Sequence, residues 1–368
     1  MSAPSEPTPK PPPADRPADR QSWAANLALA GLTVGILFFI VEVTLRLTGF
    51  EFVLKPEDIE FGRPHREAIR IGFQEDPDLF WVPKRYGTQL ERLKGEKPPW
   101  LLIGDSCVQL SDYDLRLAER AAAAGRGHVR YGNLAVAGWS SFQGRQQVRR
   151  DLPDLEPKLV TLSYGWNDHW IGFGLEDKTV AQTLDIFSRR WSELRWVQLL
   201  TRAVVEYRAR ETNFPNRVSL EDFEANMLDM VAQLREMGAV PVILTAASNH
   251  RPGEEPEGLA RRWLRDLNDL IPLHRAYVET QRRAAEKSGA PLCDLAASFE
   301  ALDEAARRPF FMDDGIHYTP AGSLEVARLL DLCFERHDLW RLIAEPTGEA
   351  ETGGEAPEAA GAAGATGP

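Results

Sequence analysis

The stretch Leu101-Leu102-Ile103-Gly104-Asp105-Ser106-Cys107 joins a run of apolar residues to a glycine and, two positions later, a serine. An apolar run bounded by turn residues is typical of a buried strand, so we predict a strand that ends at Gly104. A glycine suits the tight corner between a strand and a helix, because it carries no Cβ. Ser106 then lies where open α/β sheets bind their ligands. Taken alone, the three residues Gly104-Asp105-Ser106 are more typical of a strand end followed by a helix-capping serine.

Four further runs with strand character follow, and helical segments separate them. The predicted strands cover residues 98–104, 128–134, 159–164, 240–245 and 291–295. The predicted helices cover residues 112–124, 140–151, 219–237, 259–287 with an interruption at Pro272, and 320–334. Strands that alternate with helices form parallel sheets with right-handed crossovers. We therefore predict an α/β fold, a flavodoxin-like three-layer α/β/α sandwich with a five-stranded parallel sheet.

The composition suits a globular protein and argues against several kinds of partner. The 368 residues are 27% charged and 43% apolar, which is typical of a chain with a large core. The net charge of -12 argues against a nucleic-acid partner, because phosphate binding needs clustered Lys and Arg. The three cysteines, Cys107, Cys293 and Cys333, are odd in number and far apart, so they predict neither a disulfide framework nor a zinc site. We expect no cofactor and no bound metal.

The N-terminal part of the chain contains one long apolar segment. Residues 1–22 are rich in Pro, Ala and charge, which predicts a disordered tail. Residues 23–47 are long enough to cross a hydrocarbon core of about 30 Å, and we predict a transmembrane helix over this range. A cleaved signal peptide and a buried core helix are the alternatives. Cationic residues lie near both ends of the span, so charge does not decide its orientation. They are Lys10, Arg16, Arg20, Arg46, Lys55 and Arg63.

Shifts in composition set the remaining boundaries. Residues 48–97 mix aromatics, charges and prolines, which predicts an arm over the main domain or a linker from the membrane. The regular α/β pattern covers residues 98–340. Residues 171–218 interrupt it, and such an insertion at the ligand end of a sheet is typically a lid or a wall of the site. Residues 345–368 consist largely of Gly, Ala, Glu and Pro and predict a second disordered tail.

The candidate functional residues lie just after a predicted strand or in a loop. Ser106, Gly138 and Asn167 follow the first three strands, and His317 lies in the loop before the last helix. The carboxyl ends of parallel strands share one edge of the sheet, so we expect these four residues to converge. A serine needs a base within hydrogen-bond reach to act as a nucleophile, and His317 is the best base available. Asp314, three residues earlier, is placed to accept a hydrogen bond from the imidazole Nδ1–H.

Three donors are candidates for stabilising the oxyanion that would develop when the serine attacks a carbonyl group. They are the backbone N–H groups of Ser106 and Gly138 and the side-chain amide of Asn167. Taken one at a time, the segments that contain Gly138, Asn167 and His317 are more typical of a turn, a helix cap and a polar loop. Only their occurrence together, in this order and near strand ends, favours catalysis. We expect the Asp105 carboxylate to accept backbone N–H groups of its own loop, and Cys107 to be a packed, unreactive side chain.

Four segments resemble the motif blocks of the SGNH (GDSL-like) hydrolase superfamily. They are Gly104-Asp105-Ser106, Asn133 to Gly138, Gly165-Trp166-Asn167-Asp168 and Asp314-Gly315-Ile316-His317. The resemblance covers residues 98–335, and the apolar N-terminal segment is similar to that of membrane-anchored bacterial members. It implies a flavodoxin-like fold and ester hydrolysis through an acyl-serine intermediate. It also implies Asp314 as the third member of the triad, with the adjacent Asp313 as a competing carboxylate.

We therefore expect a serine esterase that acts on O-acyl groups of carbohydrates or on small acyl esters. Trp139, Trp166 and Trp170 lie close to the motifs, either as stacking surfaces for sugars or acyl chains or as core residues. The alternative function is acyl transfer to a cell-envelope polysaccharide, with a membrane partner that donates the acyl group. A non-catalytic tethered binding module is the third hypothesis. The resemblance, and not the charge distribution, implies an extracytoplasmic catalytic domain.

Overall fold

The strands of the described chain form one large sheet and two short antiparallel pairs. The computed structural model describes residues 19–51, 72–172, 176–186, 193–211, 215–259 and 264–345. Its strands are β1 (Phe73–Asp76), β2 (Phe80–Pro83), β3 (Trp100–Gly104), β4 (His128–Val129), β5 (Tyr131–Asn133), β6 (Leu159–Ser163), β7 (Val240–Leu244), β8 (Leu292–Cys293) and β9 (Ala344–Glu345). β1 pairs with β2 and β4 pairs with β9. The other strands form the central sheet.

The central sheet is parallel throughout, in the order β5-β3-β6-β7-β8. This confirms the predicted five-stranded parallel sheet, and the strand order is that of the flavodoxin-like fold. In its register, Trp100 of β3 lies between Tyr131 of β5 and Leu159 of β6. The chain order reverses between β3 and β6, and sheets of this class bind ligands beyond the carboxyl ends of the strands at such a point.

Helices cover both faces of the sheet. The α-helices are α1 (Asp19–Leu47), α2 (Tyr86–Glu96), α3 (Ser106–Gln109), α4 (Tyr113–Ala123), α5 (Ser141–Asp151), α6 (Asp177–Ile186), α7 (Arg195–Glu211), α8 (Leu220–Glu236), α9 (Leu270–Ser288), α10 (Leu295–Glu300), α11 (Glu304–Arg307), α12 (Pro320–Arg336) and α13 (Trp340–Ile343). Short 3-10 helices cover Pro153–Leu155, Glu257–Leu259, Leu267–Asp269 and Arg308–Phe310. α4 packs against α12 on one face, and α8 packs against α5 and α9 on the other.

The core follows the period of two that is expected of buried strands. All residues of β3 are buried. Trp100 and Leu102 share a core with Leu117 of α4 and Leu330 of α12. The intervening Leu101 therefore points to the opposite face, because successive side chains of a strand alternate. Both faces of β3 are therefore apolar. Helices pack on each face of the sheet to bury these residues, which gives the fold its three layers.

Local capping signals decide where two of the helices begin. Ser219 Oγ accepts the backbone N–H of Asp222 at 3.2 Å at the start of α8. Thr319 Oγ accepts the backbone N–H of Gly322 at 3.1 Å at the start of α12. Pro320 occupies the first position of α12, where a backbone N–H is not needed. These signals also fix the end of the loop that carries His317.

Residues 72–97 lie against the α5 side of the α/β domain. The buried side chains of this segment include Leu79, Phe80, Trp81, Val82, Tyr86 and Leu93. The Tyr86 hydroxyl donates to Asp151 Oδ2 of α5 at 2.6 Å. Of the predicted arm or linker, residues 52–71 lie outside the described residues.

The chain divides into two compact units, one of residues 1–54 and 187–204 and the other of residues 55–186 and 205–368. In the first unit, α1 contains a candidate membrane span, Trp23–Leu47, with a mean hydropathy of 2.2 and no buried share. A membrane span and a signal sequence both have this signature. Of the predicted tails, residues 1–18 and 346–368 lie outside the described residues. Residues 19–22, predicted as disordered, form the start of α1, and Glu345 lies in β9.

Two predicted elements differ from the structure in more than the exact position of their ends. Residues 128–134 do not form one strand, because β4 pairs with β9 whereas only β5 joins β3. The helix predicted over residues 259–287 begins at Leu270 and is not interrupted at Pro272. Pro272 lies in the first turn of α9, where the backbone N–H has no intrahelical acceptor to lose.

Cys293 and Cys333 form a disulfide, contrary to the expectation from the cysteine count. Their Cα atoms are 5.6 Å apart, because α12, which carries Cys333, packs against β8, which ends at Cys293. The remaining cysteine, Cys107, is free and buried, as expected. The odd number of cysteines and the separation of 40 residues gave no sign of this disulfide in the sequence. The two cysteines meet because α12 packs against β8.

Candidate active site

Ser106 lies two residues after the end of β3, at the first position of the short helix α3. Space requires the glycine at position 104, since a Cβ on Gly104 would lie 2.5 Å from the backbone oxygen of Ser163. The Asp105 carboxylate accepts the backbone N–H of Cys107 at 2.9 Å and caps α3. This contact confirms the expected bracing role of Asp105. The strand end, the glycine and the cap together turn the chain so that the serine begins the helix.

The loop before α12 is held in shape by its own backbone. The Met312 N–H donates to the His317 oxygen at 2.8 Å, and the Gly315 N–H donates to the Met312 oxygen at 2.9 Å. Gly315 has a φ of +71°, which glycine adopts without strain. Asp314 Oδ1 accepts the backbone N–H groups of Ile316 and His317 at 2.9 and 3.0 Å. The second carboxylate oxygen, Oδ2, is left to face the imidazole.

The side chains of Ser106, His317 and Asp314 form one hydrogen-bonded chain. His317 Nε2 lies 2.8 Å from Ser106 Oγ, and His317 Nδ1 lies 2.5 Å from Asp314 Oδ2. Burial opposes the charged form of Asp314, but hydrogen bonds from the His317 ring and from backbone N–H groups outweigh it and lower the pKa of Asp314 to about 2. Burial also disfavours charged His317, but the hydrogen bond and charge of Asp314 outweigh it and raise the pKa of His317. The imidazole is therefore a stronger base than that of a free histidine.

Other ionisable groups beside this chain have different environments. Asp313 is exposed, and Asp314 is the carboxylate that contacts His317. Burial raises the pKa of Asp105 to about 6, although the Cys107 N–H and the His317 charge oppose the shift. Burial raises the pKa of the Cys107 thiol well above its usual value. Such a thiol does not form the reactive thiolate at neutral pH.

The turn that follows β5 carries Gly138, which has a φ of +81°. The Val136 N–H donates to the Gly104 oxygen at 3.0 Å, and the Ala137 N–H donates to Gln109 Oε1 at 2.7 Å. Gly104 and Gln109 flank the candidate nucleophile in sequence. These hydrogen bonds therefore hold the Gly138 turn against the segment that contains the serine.

The three predicted oxyanion donors lie on segments that hydrogen bonds connect. Asn167 is buried, and its Nδ2 donates to the Trp139 oxygen at 3.1 Å, next to the Gly138 turn. A primary amide has a second N–H, which this contact does not use. Among the described residues, the backbone N–H groups of Ser106 and Gly138 meet no protein acceptor. All three groups thus retain an N–H for a substrate oxygen.

Asp168 braces the same side of the site. Its carboxylate accepts the Ser141 N–H at 2.8 Å, the Ser141 hydroxyl at 2.5 Å and the Gly165 N–H at 3.1 Å. Complete burial raises the pKa of Asp168 to about 7, although the bonds from Ser141 oppose the shift. Asp168 therefore ties the start of α5 to the loop that carries Asn167.

Arg217 is a supporting residue that the sequence analysis missed. Its side chain is fully buried, donates to the Gly138 oxygen at 2.6 Å and pairs with Asp177 at 2.9 Å. Asp177 also accepts the Ser140 hydroxyl at 2.7 Å. Both members of the pair lie within the predicted insertion of residues 171–218. No local pattern marks Arg217, because Gly138 is 79 positions away and Asp177 is 40 positions away.

His250 is a second residue that the sequence analysis missed, and it supports the Asp314 side. His250 Nε2 lies 2.6 Å from the backbone oxygen of Asp314, and Nδ1 lies 3.1 Å from Ser248 Oγ. A Cβ on Gly315 would lie 2.7 Å from the His250 ring, so the loop and the ring are in close contact. His250 follows β7, which is the fourth predicted strand. The sequence analysis chose candidates that follow the first three predicted strands, and the same criterion applied to the fourth would have identified His250.

Trp139, Trp166 and Trp170 are buried. Trp139 Nε1 donates to the Trp81 oxygen at 3.0 Å. Trp166 stacks on His274 with the ring centroids 3.9 Å apart. Of the two interpretations offered by the sequence, core packing is therefore correct for these three side chains, and they provide no stacking surface.

His169 and His274 form a buried pair, with His169 Nε2 and His274 Nδ1 3.3 Å apart. Burial lowers the pKa of both rings, to about 3 for His274. Both rings are therefore neutral at physiological pH. Within the described ranges, no group of three or more His, Cys, Asp or Glu side chains is placed to hold a metal ion.

Comparison with known proteins identifies one matching family model, described as the GDSL-like lipase/acylhydrolase family. The match covers residues 102–323, which include Ser106, Gly138, Asn167, Asp314 and His317. None of the curated proteins matches the sequence significantly.

Several solved structures are similar to the chain at low sequence identity. A lipase/acylhydrolase from Enterococcus faecalis is 14% identical with a TM-score of 0.44, and the match covers 65% of this chain and 96% of that chain. A GDSL-like lipase from Bacteroides thetaiotaomicron is 16% identical with a TM-score of 0.42, over 69% of this chain and 97% of that chain. An acetylxylan esterase from Geobacillus stearothermophilus is 14% identical with a TM-score of 0.41, over 64% and 93%.

Proposed function

The chain belongs to the GDSL-like lipase/acylhydrolase family and is an ester-bond hydrolase, and we propose that it acts through a covalent acyl intermediate on Ser106. The observation that carries the proposal is the hydrogen-bonded chain from Ser106 through His317 to Asp314, with distances of 2.8 and 2.5 Å. A serine hydroxyl is a weak nucleophile that an adjacent base activates. Here the base is in turn oriented by a carboxylate that stays ionised.

In the acylation step, Ser106 Oγ attacks the carbonyl carbon of the ester. His317 Nε2 takes the hydroxyl proton, and the ionised Asp314 stabilises the resulting imidazolium through its bond to Nδ1–H. The carbonyl oxygen becomes an oxyanion, which accepts hydrogen bonds from the N–H groups of Ser106 and Gly138 and from the Asn167 amide. When the C–O bond breaks, the imidazolium gives its proton to the leaving alkoxide.

In the deacylation step, water replaces the alcohol. His317 takes a proton from the water as the water oxygen attacks the acyl carbon of acyl-Ser106. The same donors stabilise the second oxyanion. Collapse of this intermediate releases the carboxylic acid and returns the proton to Ser106 Oγ, so the enzyme ends in its starting state.

The candidate substrate is a small acyl ester, and an O-acylated carbohydrate is the class that we propose. Ser106 is only partly buried, so a bulky alcohol portion has access to it. Leu110 and Met312 are 62% and 45% exposed on the segments of the serine and the histidine, and both are suited to contact an acyl group. A panel of nitrophenyl esters of increasing chain length, together with O-acetylated oligosaccharides, tests this assignment. Turnover restricted to long-chain esters would contradict it.

The Ser106→Ala variant tests the proposed nucleophile. It should lose turnover of a short-chain nitrophenyl ester by about 10⁶-fold and should no longer react with a fluorophosphonate probe. Ser111→Ala, a nearby serine whose hydroxyl donates to the Val108 oxygen, is the matched control and should keep both properties. Turnover or labelling that persists in Ser106→Ala would exclude the mechanism.

Acyl transfer to a cell-envelope polysaccharide is the second candidate function. The acyl-Ser106 intermediate would be the same, and a sugar hydroxyl would replace water in the second step. The feature that favours it is the apolar helix α1, which would hold the enzyme beside a membrane partner that donates acyl groups. Incubation with an activated ester and a polysaccharide separates the two functions, since transfer gives acylated glycan and hydrolysis gives free acid.

We also propose that residues 23–47 anchor the chain as a single span, with the catalytic domain on the extracytoplasmic side. The length and lack of burial of α1 support the span. The Cys293–Cys333 disulfide supports the orientation, because such bonds persist in oxidising compartments and are rare in the cytosol. A C-terminal reporter that is active only outside the cytoplasm should work in cells. Activity of a cytoplasm-only reporter at that position would contradict the orientation.

A further inference from the structure

The first part of α7, residues 195–204, is attached to α1 within the first unit. The ring centroid of Trp196 lies 4.7 Å from that of Phe38 in the apolar segment of α1. The backbone N–H of Trp196 donates to Glu42 Oε2 at 3.1 Å. These two contacts fix the start of α7 at the level of Glu42 along α1.

Glu42 is the acidic residue of the apolar segment, and its partners are all within this unit. Arg46 Nε donates to Glu42 Oε1 at 2.7 Å, and Arg46 also donates to the backbone oxygen of Glu193 at 3.1 Å. The carboxyl side chain is only 13% exposed. An acidic group in a span is tolerated when it pairs with a cation and with backbone groups, and Glu42 has both kinds of partner.

One face of this part of α7 is apolar. Five apolar residues recur at i, i+3, i+4, i+7 and i+8, a spacing that places them on one side of a helix. They are Trp196, Leu199, Leu200, Ala203 and Val204. Arg195, Gln198 and Arg202 lie on the opposite side. Leu199, Leu200 and Val204 are 40%, 55% and 53% exposed. Trp196, which contacts α1, belongs to the same face, so the exposed apolar surface of α7 continues that of α1.

The position of Glu42 sets the depth of this face in a bilayer. Glu42 lies five residues before the end of α1 at Leu47, which corresponds to about 8 Å along the helix axis. Interfacial amphipathic helices bury their apolar face by about 5–10 Å. A helix that leaves the span at the level of Glu42 therefore starts at the depth that interfacial helices occupy.

We propose that residues 195–204 form an interfacial helix whose apolar face contacts the lipids of the bilayer that α1 spans. Trp196 lies at the junction of the two helices, and tryptophan is enriched at this depth. Arg195 and Arg202 lie on the side that faces the headgroups. The inference rests on the proposed membrane span, and it gives the chain a second contact with the same membrane.

Single-cysteine fluorophore labelling of the full chain in phospholipid nanodiscs tests the inference. Leu200→Cys probes the apolar face, Arg202→Cys is the matched control on the polar face, and Leu32→Cys probes the span itself. The unsubstituted chain is the blank, because its free cysteine is buried and the other two are bridged. Part of the phospholipid carries a nitroxide near the glycerol backbone, which quenches a fluorophore at the interface.

We expect loss of fluorescence for the label at position 200 and at most a weak loss for the label at position 202. Equal, weak quenching at positions 200 and 202, with the label at position 32 shielded from aqueous quenchers, would overturn the interfacial helix and leave the span intact. A label at position 200 that neither water nor lipid quenchers reach would assign the face to a second protein copy and also overturn it. A label at position 32 that remains open to aqueous quenchers would refute the span, and the interfacial helix with it.

Discussion

The two sides of the candidate site are built in different ways. On the base side, Asp314 accepts backbone N–H groups from residues two and three positions further along the chain. On the donor side, the Gly138 turn is held by Arg217, which is 79 positions away. Most of the hydrogen bonds that position the Asp314–His317 pair come from its own loop, and His250 adds one contact from a distant segment. The Gly138 turn, in contrast, depends on Arg217 and so on the assembled fold. Damage to the base side should therefore lower turnover alone, and damage to the support of the donor side should lower both turnover and stability.

Among the changes that leave the Ser106 nucleophile in place, the largest effect on turnover is expected from Asp314→Asn. The amide oxygen still accepts the backbone N–H groups of the loop, but the amide nitrogen cannot accept the His317 Nδ1–H. The wrong tautomer of His317 then faces Ser106, and kcat should fall by about 10⁴-fold with little change in the free energy of unfolding. Asp313→Asn is the matched control and should retain wild-type kcat. Similar losses in the two variants would contradict the assignment of Asp314.

The largest effect on stability is expected from Arg217→Met on the donor side. This change removes the buried cation that pairs with the buried Asp177 carboxylate and should cost about 3–5 kcal/mol of unfolding free energy, measured by chemical denaturation. Arg328→Met, which removes an exposed pair with Glu325, is the control and should cost about 1 kcal/mol or less. Adding Asp177→Leu to the Arg217→Met variant should restore part of the stability but not the turnover, because the Gly138 oxygen still lacks its hydrogen bond from Arg217. Equal costs for Arg217→Met and Arg328→Met would remove the difference between the two sides.

Asn167→Ala is expected to have a smaller effect, limited to the oxyanion. Loss of one donor should lower kcat by about 10²–10³-fold. KM for a short ester should change little, because the lost bond forms mainly in the transition state. Asn268→Ala, a change in the exposed 3-10 helix before α9, serves as the control. A decrease in kcat of less than about tenfold for Asn167→Ala would exclude Asn167 from the oxyanion hole.

The smallest expected effect is a shift of the pH profile. His317 acts as a base only when neutral, so kcat/KM should rise with pH through its pKa, which Asp314 raises above the usual 6.5. In the residual activity of Asp314→Asn, this acidic limb should move to lower pH. Asn167→Ala should leave the limb in place, because the donor side does not set the basicity of His317. A limb that moves with Asn167→Ala and not with Asp314→Asn would reverse the assignment of the two sides.

The sequence allows the Asp314–His317 pair to be predicted because the hydrogen bonds within its loop are local, whereas the supporting contact from His250 comes from a distant segment and was missed. Asp314 and His317 are three residues apart, and the glycine between them permits the turn that their hydrogen bond needs. The end of β3 could also be predicted from a local pattern, because the buried apolar run stops at Gly104. The space constraint that requires this glycine, the approach of Ser163 on β6, is visible only in the structure. The alternation of strands and helices was sufficient to predict the parallel sheet.

The remaining features depend on packing between distant segments, which no spacing in the sequence records. Arg217 acquires its role only when the chain returns to the Gly138 turn. The Cys293–Cys333 bridge exists because α12 packs against β8. The position of Trp166 beside a motif is compatible with a stacking surface or with core packing, and the fold decides for the core by burying its ring against His274. Long-range contacts, and not local propensity, limit what the sequence alone can predict here.

The most direct test of the central claim is to trap the acyl intermediate. The wild-type enzyme is mixed with an ester that deacylates slowly and quenched in acid, and the intact mass and the mapped peptides are then measured. We expect one acyl group per chain, located on the peptide that contains Ser106 and absent from Ser106→Ala. An adduct on another residue, or product release from a chain that never carries an acyl group, would contradict the account.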